Sequence, residues 1–154
     1  MSLRAALNDE MKLAMKAKDA RRLATLRLVL AALKDKDIAA RTADSRELLG
    51  DDEILSLMAK MVKQREESAL AYDAGKRPEL AAAEREEIEI IRSFMPTQMD
   101  SEAAQAAITS VIGEVGATSI KDMGKVMAAL KERYAGQMDF AKASGTVKTL
   151  LSAK

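Results

Sequence analysis

The sequence contains no cysteine and no histidine. The missing cysteine excludes disulfides, thiolate nucleophiles and thiolate-ligated metals. The missing histidine removes the commonest general base and the commonest transition-metal ligand. Tryptophan is also absent, and two tyrosines and two phenylalanines are the only aromatic residues, so a surface that stacks on bases is not expected. We therefore predict a protein with no catalytic residue of these types, no metal and no cofactor.

Residues that break helices are scarce as well, with 7 glycines and 2 prolines in 154 residues. The chain instead has 29 alanines, 17 leucines and 10 methionines, against 14 valines and isoleucines together. Alanine, leucine and methionine favour helix because they lose little side-chain freedom there. The composition predicts an all-α protein.

No charge sign dominates, because 25 basic residues stand against 24 acidic ones, for a net charge of +1. Residues 1–34 nevertheless carry eight basic and three acidic side chains. This segment could steer a polyanion to one end of the molecule, or it could pair with acidic segments elsewhere. No apolar run approaches the roughly 18 residues that a membrane span needs, and the start has no hydrophobic signal region. We expect a cytoplasmic protein without membrane contact.

Apolar residues recur at helical spacing in seven segments, four before Pro96 and three after it. We predict an N-terminal four-helix subdomain over 1–96 and a small C-terminal three-helix subdomain over 97–154. Residues 96–100 are interpreted as a hinge and residues 41–50 as a loop. Gly75 is the expected stop of the third helix.

Charged residues interrupt two of the apolar stripes. Arg65 lies in the stripe of the third helix and Glu84 in that of the fourth, while Arg27 borders the stripe of the second. A charge on an inward face must find a partner, because unpaired burial costs several kcal/mol. We predict a partly buried network of Arg65 and Glu84, with Arg27 and Glu87 as further members. Such a network is either a structural clamp or an active site.

The C-terminal segment combines a glycine in or near the start of a helix with several cations. Gly124 costs about 1 kcal/mol there relative to alanine, which suggests close approach by a ligand or by another backbone. The basic residues could contact phosphates, or they could be ordinary solvated surface beside a packing glycine. Neither a phosphate-binding P-loop nor the Gly-x-Gly-x-x-Gly dinucleotide motif occurs. The candidate nucleic-acid-binding residues are Lys121, Gly124, Lys125, Lys131, Arg133 and Lys148.

Three groups of residues resemble the YqeY-like family, also called GatB/YqeY-domain proteins, over nearly the full chain. The first is Asp19-Ala20-Arg21-Arg22-Leu23 with the following Leu26-Arg27. The second runs from Lys63-Gln64-Arg65-Glu66-Glu67-Ser68 to Phe94-Met95-Pro96-Thr97-Gln98-Met99. The third begins at Asp122-Met123-Gly124-Lys125-Val126-Met127 and includes Met138-Asp139.

The family is similar to the C-terminal tail of the GatB component of the glutamine-dependent aspartyl/glutamyl-tRNA amidotransferase, and this tail helps to hold tRNA. The resemblance implies two all-α subdomains and a partner such as tRNA or an aminoacylation component, without a transferable catalytic residue. The family label is carbon–nitrogen ligase with glutamine as amido-N-donor. Such a ligase needs an ATP site and an activated nucleophile, and the residues show neither.

Three functions stay open at this point. We expect a non-catalytic tRNA-associated binding module. The first alternative is a protein–protein adaptor that uses methionine-bearing helix faces, since methionines occur on or at the ends of several stripes. The second alternative is an amidotransferase accessory with the activity that the family label names.

Overall fold

The computed structural model describes residues 2–41 and 48–153. These residues form seven α-helices and one short 3-10 helix at Ile120–Asp122, with no strand among them, which confirms the all-α prediction. Most of the predicted loop at 41–50 lies outside the described residues. Within the described ranges, no helix is long and apolar enough to cross a membrane. The α-helices are α1 (Leu3–Lys16), α2 (Ala20–Ala39), α3 (Asp51–Ala74), α4 (Pro78–Arg92), α5 (Ser101–Glu114), α6 (Met123–Arg133) and α7 (Phe140–Ser152).

Polar side chains define where several of these helices begin. The hydroxyl of Ser2 accepts a hydrogen bond from the backbone N–H of Ala5 at the start of α1. Carboxylates of Asp19, Asp100 and Asp139 do the same for α2, α5 and α7. Each bond satisfies a backbone donor that has no partner within the helix.

Three helices end in the same way, with one residue in the left-handed conformation just beyond the helix. That residue is Lys18 after α1, Lys76 after α3 and Gly116 after α5, with φ of 56°, 59° and 68°. After α3, the N–H of Lys76 bonds to the carbonyl of Asp73 and the next N–H bonds to the carbonyl of Tyr72. This double closure is the Schellman motif. The left-handed residue is therefore Lys76 and not Gly75, whose φ is −83°.

The structure divides into two compact units, Met1–Met95 and Pro96–Lys154. In the first unit, α1 packs against α2 and α3 against α4, and α2 also contacts α4. The inward faces of the four helices supply one hydrophobic core. Its fully buried large side chains include Leu7, Leu26, Leu33, Ile54, Met58 and Ile91.

The stripe of α1 shows how a sequence pattern translates into burial. Leu3, Leu7, Met11 and Met15 are spaced four residues apart, and each step of four rotates about 40° beyond a full turn. Leu7 is fully buried, its two nearer neighbours are partly buried, and Met15 is 50% exposed. Ala14 takes the buried position in the last turn instead.

The second unit has its own core, formed by α5, α6 and α7. Val111, Val126, Leu130 and Val147 have no exposed surface, and Ile108 and Leu151 have almost none. The chain that precedes α5 is tied to this unit, because the N–H of Met99 donates to the carbonyl of Gln137 at 2.8 Å. The side-chain amide of Gln98 donates to the carbonyl of Gly136. Two residues of the segment that we interpret as a hinge thus belong to the second unit.

Candidate nucleic-acid interface

The start of α6 is built around the carboxylate of Asp122. Its Oδ2 accepts hydrogen bonds from the backbone N–H groups of Thr118 and Ser119, at 3.0 and 3.4 Å. The Thr118 bond, followed by the Ser119 bond, lowers the pKa of Asp122, and the nearby charge of Lys125 acts in the same direction. The carboxylate therefore stays ionised, and it holds the turn that leads into α6.

Gly124 lies in the first turn of α6 and is exposed. A Cβ atom added there would meet no other atom within 4 Å. This observation removes the interpretation that Gly124 makes room for a neighbouring part of the protein. The glycine leaves a stretch of helix backbone open to the outside.

Three exposed lysines lie within seven positions of Gly124 along the chain, and the exposed Glu132 lies two turns after Lys125 on the same side of α6. Lys121 precedes Gly124 by three residues and Lys125 follows it directly. Lys131 is seven residues further along α6, which is two helical turns, so it shares the face of Gly124. None of the three lysines forms a salt bridge with a carboxylate in the part of the chain that the structure describes. We call this surface, made of Lys121, Gly124, Lys125 and Lys131, the α6 lysine face.

The remaining two candidates are placed differently. Arg133 forms an ion pair with Glu114 of α5. The hydrogen bond between them raises the pKa of Arg133 and lowers that of Glu114. The charge of Arg133 is therefore already balanced within the unit. Lys148 is exposed, but it lies on α7, which packs against α6.

The charged residues that interrupt the stripes of the first unit form a pair whose partner differs from the expected one. Nε of Arg65 donates to Oε2 of Glu87 at 2.8 Å, and Arg65 also donates to the carbonyl of Met61. The two side chains are 14% and 25% exposed. Glu84 is half-buried and forms no ion pair with the described residues, and Arg27 is exposed. The ion pair thus joins α3 to α4 through Glu87.

Substitutions at Glu87 and Glu84 can test whether Glu87 is the partner of Arg65. We expect Glu87→Gln to lower the free energy of unfolding by about 1–2 kcal/mol, because it weakens a charged hydrogen bond that is largely shielded from water. Glu84→Gln, the matched change one turn away, should cost less than about 0.5 kcal/mol. Urea denaturation of both variants measures the difference. Equal effects would contradict the assignment of Glu87 as the partner.

Asp37 carries a second buried charge, which we did not predict from the sequence. Both oxygens of Asp37 on α2 accept hydrogen bonds from the guanidinium of Arg4 on α1, at 2.9 and 3.0 Å. Asp37 also accepts from the backbone N–H of Leu49, whose carbonyl accepts from Arg4. The hydrogen bond from Arg4 lowers the pKa of Asp37, and the Leu49 bond adds to this effect. Helical spacing could have indicated this burial, because Asp37 lies four residues after the buried Leu33 and therefore on the inward side of α2.

Metal binding and methionine-lined grooves receive no support from the described residues. No group of three or more acidic side chains there could hold a metal ion. Met58, Met61 and Met138 are buried in the two cores, and five others are partly buried. Among the described methionines, Met15 alone is exposed. The methionine faces required by the adaptor hypothesis are thus mostly used for packing.

The fold and this surface define an all-helical protein with two small cores and a lysine-bearing face. The model of the family described as "Yqey-like protein" matches residues 4–151. The chain therefore belongs to the YqeY-like family, which confirms the resemblance drawn from the sequence.

Curated relatives include the protein named "Altered inheritance of mitochondria protein 41, mitochondrial" from three yeasts. The Kluyveromyces lactis protein is 34% identical over 90 residues, which is 58% of this chain and 46% of the relative. The Candida glabrata protein is 32% identical over 89 residues, 58% of this chain and 47% of the relative. A Saccharomyces cerevisiae protein is 33% identical over 89 residues, with coverage of 58% and 46%. The chain spans about half the length of the curated relatives it matches.

These relatives correct one expectation from the sequence. We expected a cytoplasmic protein because no hydrophobic signal region or membrane span was visible. The names of the relatives place them in mitochondria, so the expectation of a cytoplasmic location is contradicted. The composition and hydropathy of the chain could not distinguish a cytoplasmic from a mitochondrial protein, because neither property depends directly on the compartment.

Proposed function

We propose that the protein is a non-catalytic RNA-binding module, with tRNA as the class of ligand, and that the α6 lysine face contacts the RNA. The observation that carries the proposal is the group of exposed lysines, none of them in a described salt bridge, near the open backbone of Gly124 along the chain. Exposed lysines can contact the negatively charged phosphate oxygens of RNA. The open backbone at Gly124 leaves room for a phosphate to approach closely. The family resemblance to the tRNA-holding tail of an amidotransferase supports the choice of RNA.

The aromatic residues of the second unit favour contacts to the RNA backbone over contacts to its bases. Tyr134 and Phe140 are half-buried and pack against the second core. They are not free to form a platform on which bases stack. Binding should therefore depend on phosphates, which makes it sensitive to salt and tolerant of sequence.

The first experiment measures binding of bulk tRNA across a salt series. We expect affinity to fall steeply with salt, and we expect Lys125→Glu with Lys131→Glu to weaken binding at least tenfold and to flatten the salt dependence. The matched control is Lys12→Glu with Lys60→Glu, two exposed lysines of α1 and α3, which changes the net charge equally. Absence of binding at low salt, or equal losses in both double variants, would contradict the proposal.

Gly124→Ala provides a second variant for the same assay. Alanine meets no atom within 4 Å there, and it favours helix by up to about 1 kcal/mol, so the fold should become slightly more stable. If RNA approaches this backbone, the same variant should bind tRNA more weakly. A gain in stability with unchanged affinity would remove Gly124 from the interface and leave only the lysines.

The amidotransferase alternative is tested separately. An autonomous carbon–nitrogen ligase would form an amide from glutamine in the presence of ATP. We expect the purified protein to show no such reaction with misacylated tRNA, even under conditions where it binds tRNA. Measurable amide formation would replace the non-catalytic proposal.

A further inference from the structure

The outward face of α2 carries two exposed large aliphatic side chains and two exposed alanines. Leu28 and Ile38 are 48% and 49% exposed, and the exposed Ala24 and Ala31 lie between or beside them on the helix. Residues 24, 28, 31 and 38 are separated by four, three and seven positions, which places them on one side of an α-helix. The opposite side of α2 is already used by the first core, where Leu26, Val29 and Leu33 are buried.

Two cations share this face. Arg27 and Lys34 are exposed and stand seven residues apart, two helical turns, so they lie along one edge of the apolar stripe. Neither forms a salt bridge with a described carboxylate, whereas Arg4, Arg21 and Arg22 in the same helical pair each have one. Asp35 is the acidic side chain on the face. We call the surface made of Ala24, Arg27, Leu28, Ala31, Lys34, Asp35 and Ile38 the α2 face, with two cations and one carboxylate.

We propose that the α2 face docks an acidic amphipathic helix of a partner protein. Arginine is enriched at protein interfaces, and helix recognition uses apolar anchors at this same helical spacing. The unpaired cations call for carboxylates on the partner, next to its apolar stripe.

An RNA ligand also fits this surface less well than it fits the α6 lysine face. Phosphates would satisfy Arg27 and Lys34, but they would leave Leu28 and Ile38 without an apolar partner. The stretch from residue 24 to 38 rises about 21 Å, which a helix of about 15 residues covers. Such an interface is small, so the complex should be weak and reversible.

The test uses a labelled, capped 18-residue peptide, rich in alanine, with leucines at helical spacing and glutamates along one edge of the leucine stripe. Fluorescence anisotropy should show binding in the micromolar range to the wild-type protein. Leu28→Asp should abolish binding, and Arg27→Glu with Lys34→Glu should weaken it at least tenfold. The matched control is Leu70→Asp, the same change at an exposed leucine of α3, which should leave the affinity unchanged.

A peptide of opposite charge distinguishes a loss of binding from a loss of folding in the Arg27→Glu, Lys34→Glu variant. A peptide with lysines in place of the glutamates should bind the Arg27→Glu, Lys34→Glu variant better than it binds the wild type. Failure of the acidic peptide to bind, or an equal loss in Leu70→Asp, would overturn the proposal. Loss of tRNA binding in the Arg27→Glu, Lys34→Glu variant, without peptide binding to the wild type, would identify the face as an RNA surface. A dimer in sedimentation equilibrium that Leu28→Asp dissociates would assign the face to a second copy.

Discussion

Arg4→Ala should lower the free energy of unfolding of the first unit by about 3 kcal/mol. The substitution leaves the carboxylate of Asp37, which is 8% exposed, without its guanidinium partner. Removing one member of a buried pair costs about 3–5 kcal/mol, and the partial exposure of Arg4 places the effect at the low end. Native-state hydrogen exchange of α2 amides measures this quantity for the first unit separately.

The reciprocal variant should cost less. In Asp37→Ala the arginine can turn towards water, so about 2 kcal/mol is expected, mainly from the backbone N–H of Leu49 that loses its acceptor. The double variant Arg4→Ala, Asp37→Ala should be less unstable than the sum of the two single variants. Additive losses, or a loss below about 0.5 kcal/mol in Arg4→Ala, would show that the pair does not hold α1 to α2.

The same pair makes stability depend on pH in one direction. The pKa of Asp37 is lower in the folded protein than in the unfolded chain. Its contribution is therefore complete above the unfolded value of about 4, and it is lost as the pH falls towards the lower folded value. The difference in stability between wild type and Asp37→Ala should shrink below about pH 4.

Leu130→Ala should remove most of the stability of the second unit. Leu130 has no exposed surface and packs in a core that about 60 residues build. Leucine-to-alanine changes at such positions cost about 2–5 kcal/mol. A domain of this size has about 3–9 kcal/mol in total. The variant should show fast exchange of α5, α6 and α7 amides at 37 °C, with the first unit still protected.

The matched control for Leu130→Ala is Ile120→Ala, which shortens a 46% exposed aliphatic side chain of the same unit. We expect its cost to stay near about 0.5 kcal/mol or below. Because the proposed RNA interface lies on α6, Leu130→Ala should also weaken tRNA binding although every lysine is retained. Undiminished binding by a variant with an unprotected second unit would move the interface elsewhere.

The secondary structure could be predicted from local signals. Ser2, Asp19, Asp100 and Asp139 each provide a side-chain cap, and such caps depend on residues within one turn of the chain. The stripe of α4 likewise places Ile88 and Ile91 in the core. Helical periodicity also predicts that the lysines on α6 are exposed, because the apolar residues of this helix form the inward side.

Tertiary structure decided which charged residues meet. Glu84 and Glu87 lie one turn apart on α4, so the sequence could not show which of them Arg65 contacts. That choice depends on how α3 and α4 are shifted along and rotated about their axes. Arg27 turns outward for the same reason, since its position at the border of the α2 stripe allowed either side.

The sequence by itself determined an all-α chain and its family, because helix content follows from composition and periodicity, and the family follows from motifs along nearly the whole chain. Only the tertiary structure identified Asp37 as the partner of Arg4, since 33 positions separate the two residues along the chain. It also showed that Gly124 faces open space, which spacing alone could not distinguish from a packing contact. Contacts between distant segments depend on the packing of whole helices, and no local pattern records that packing.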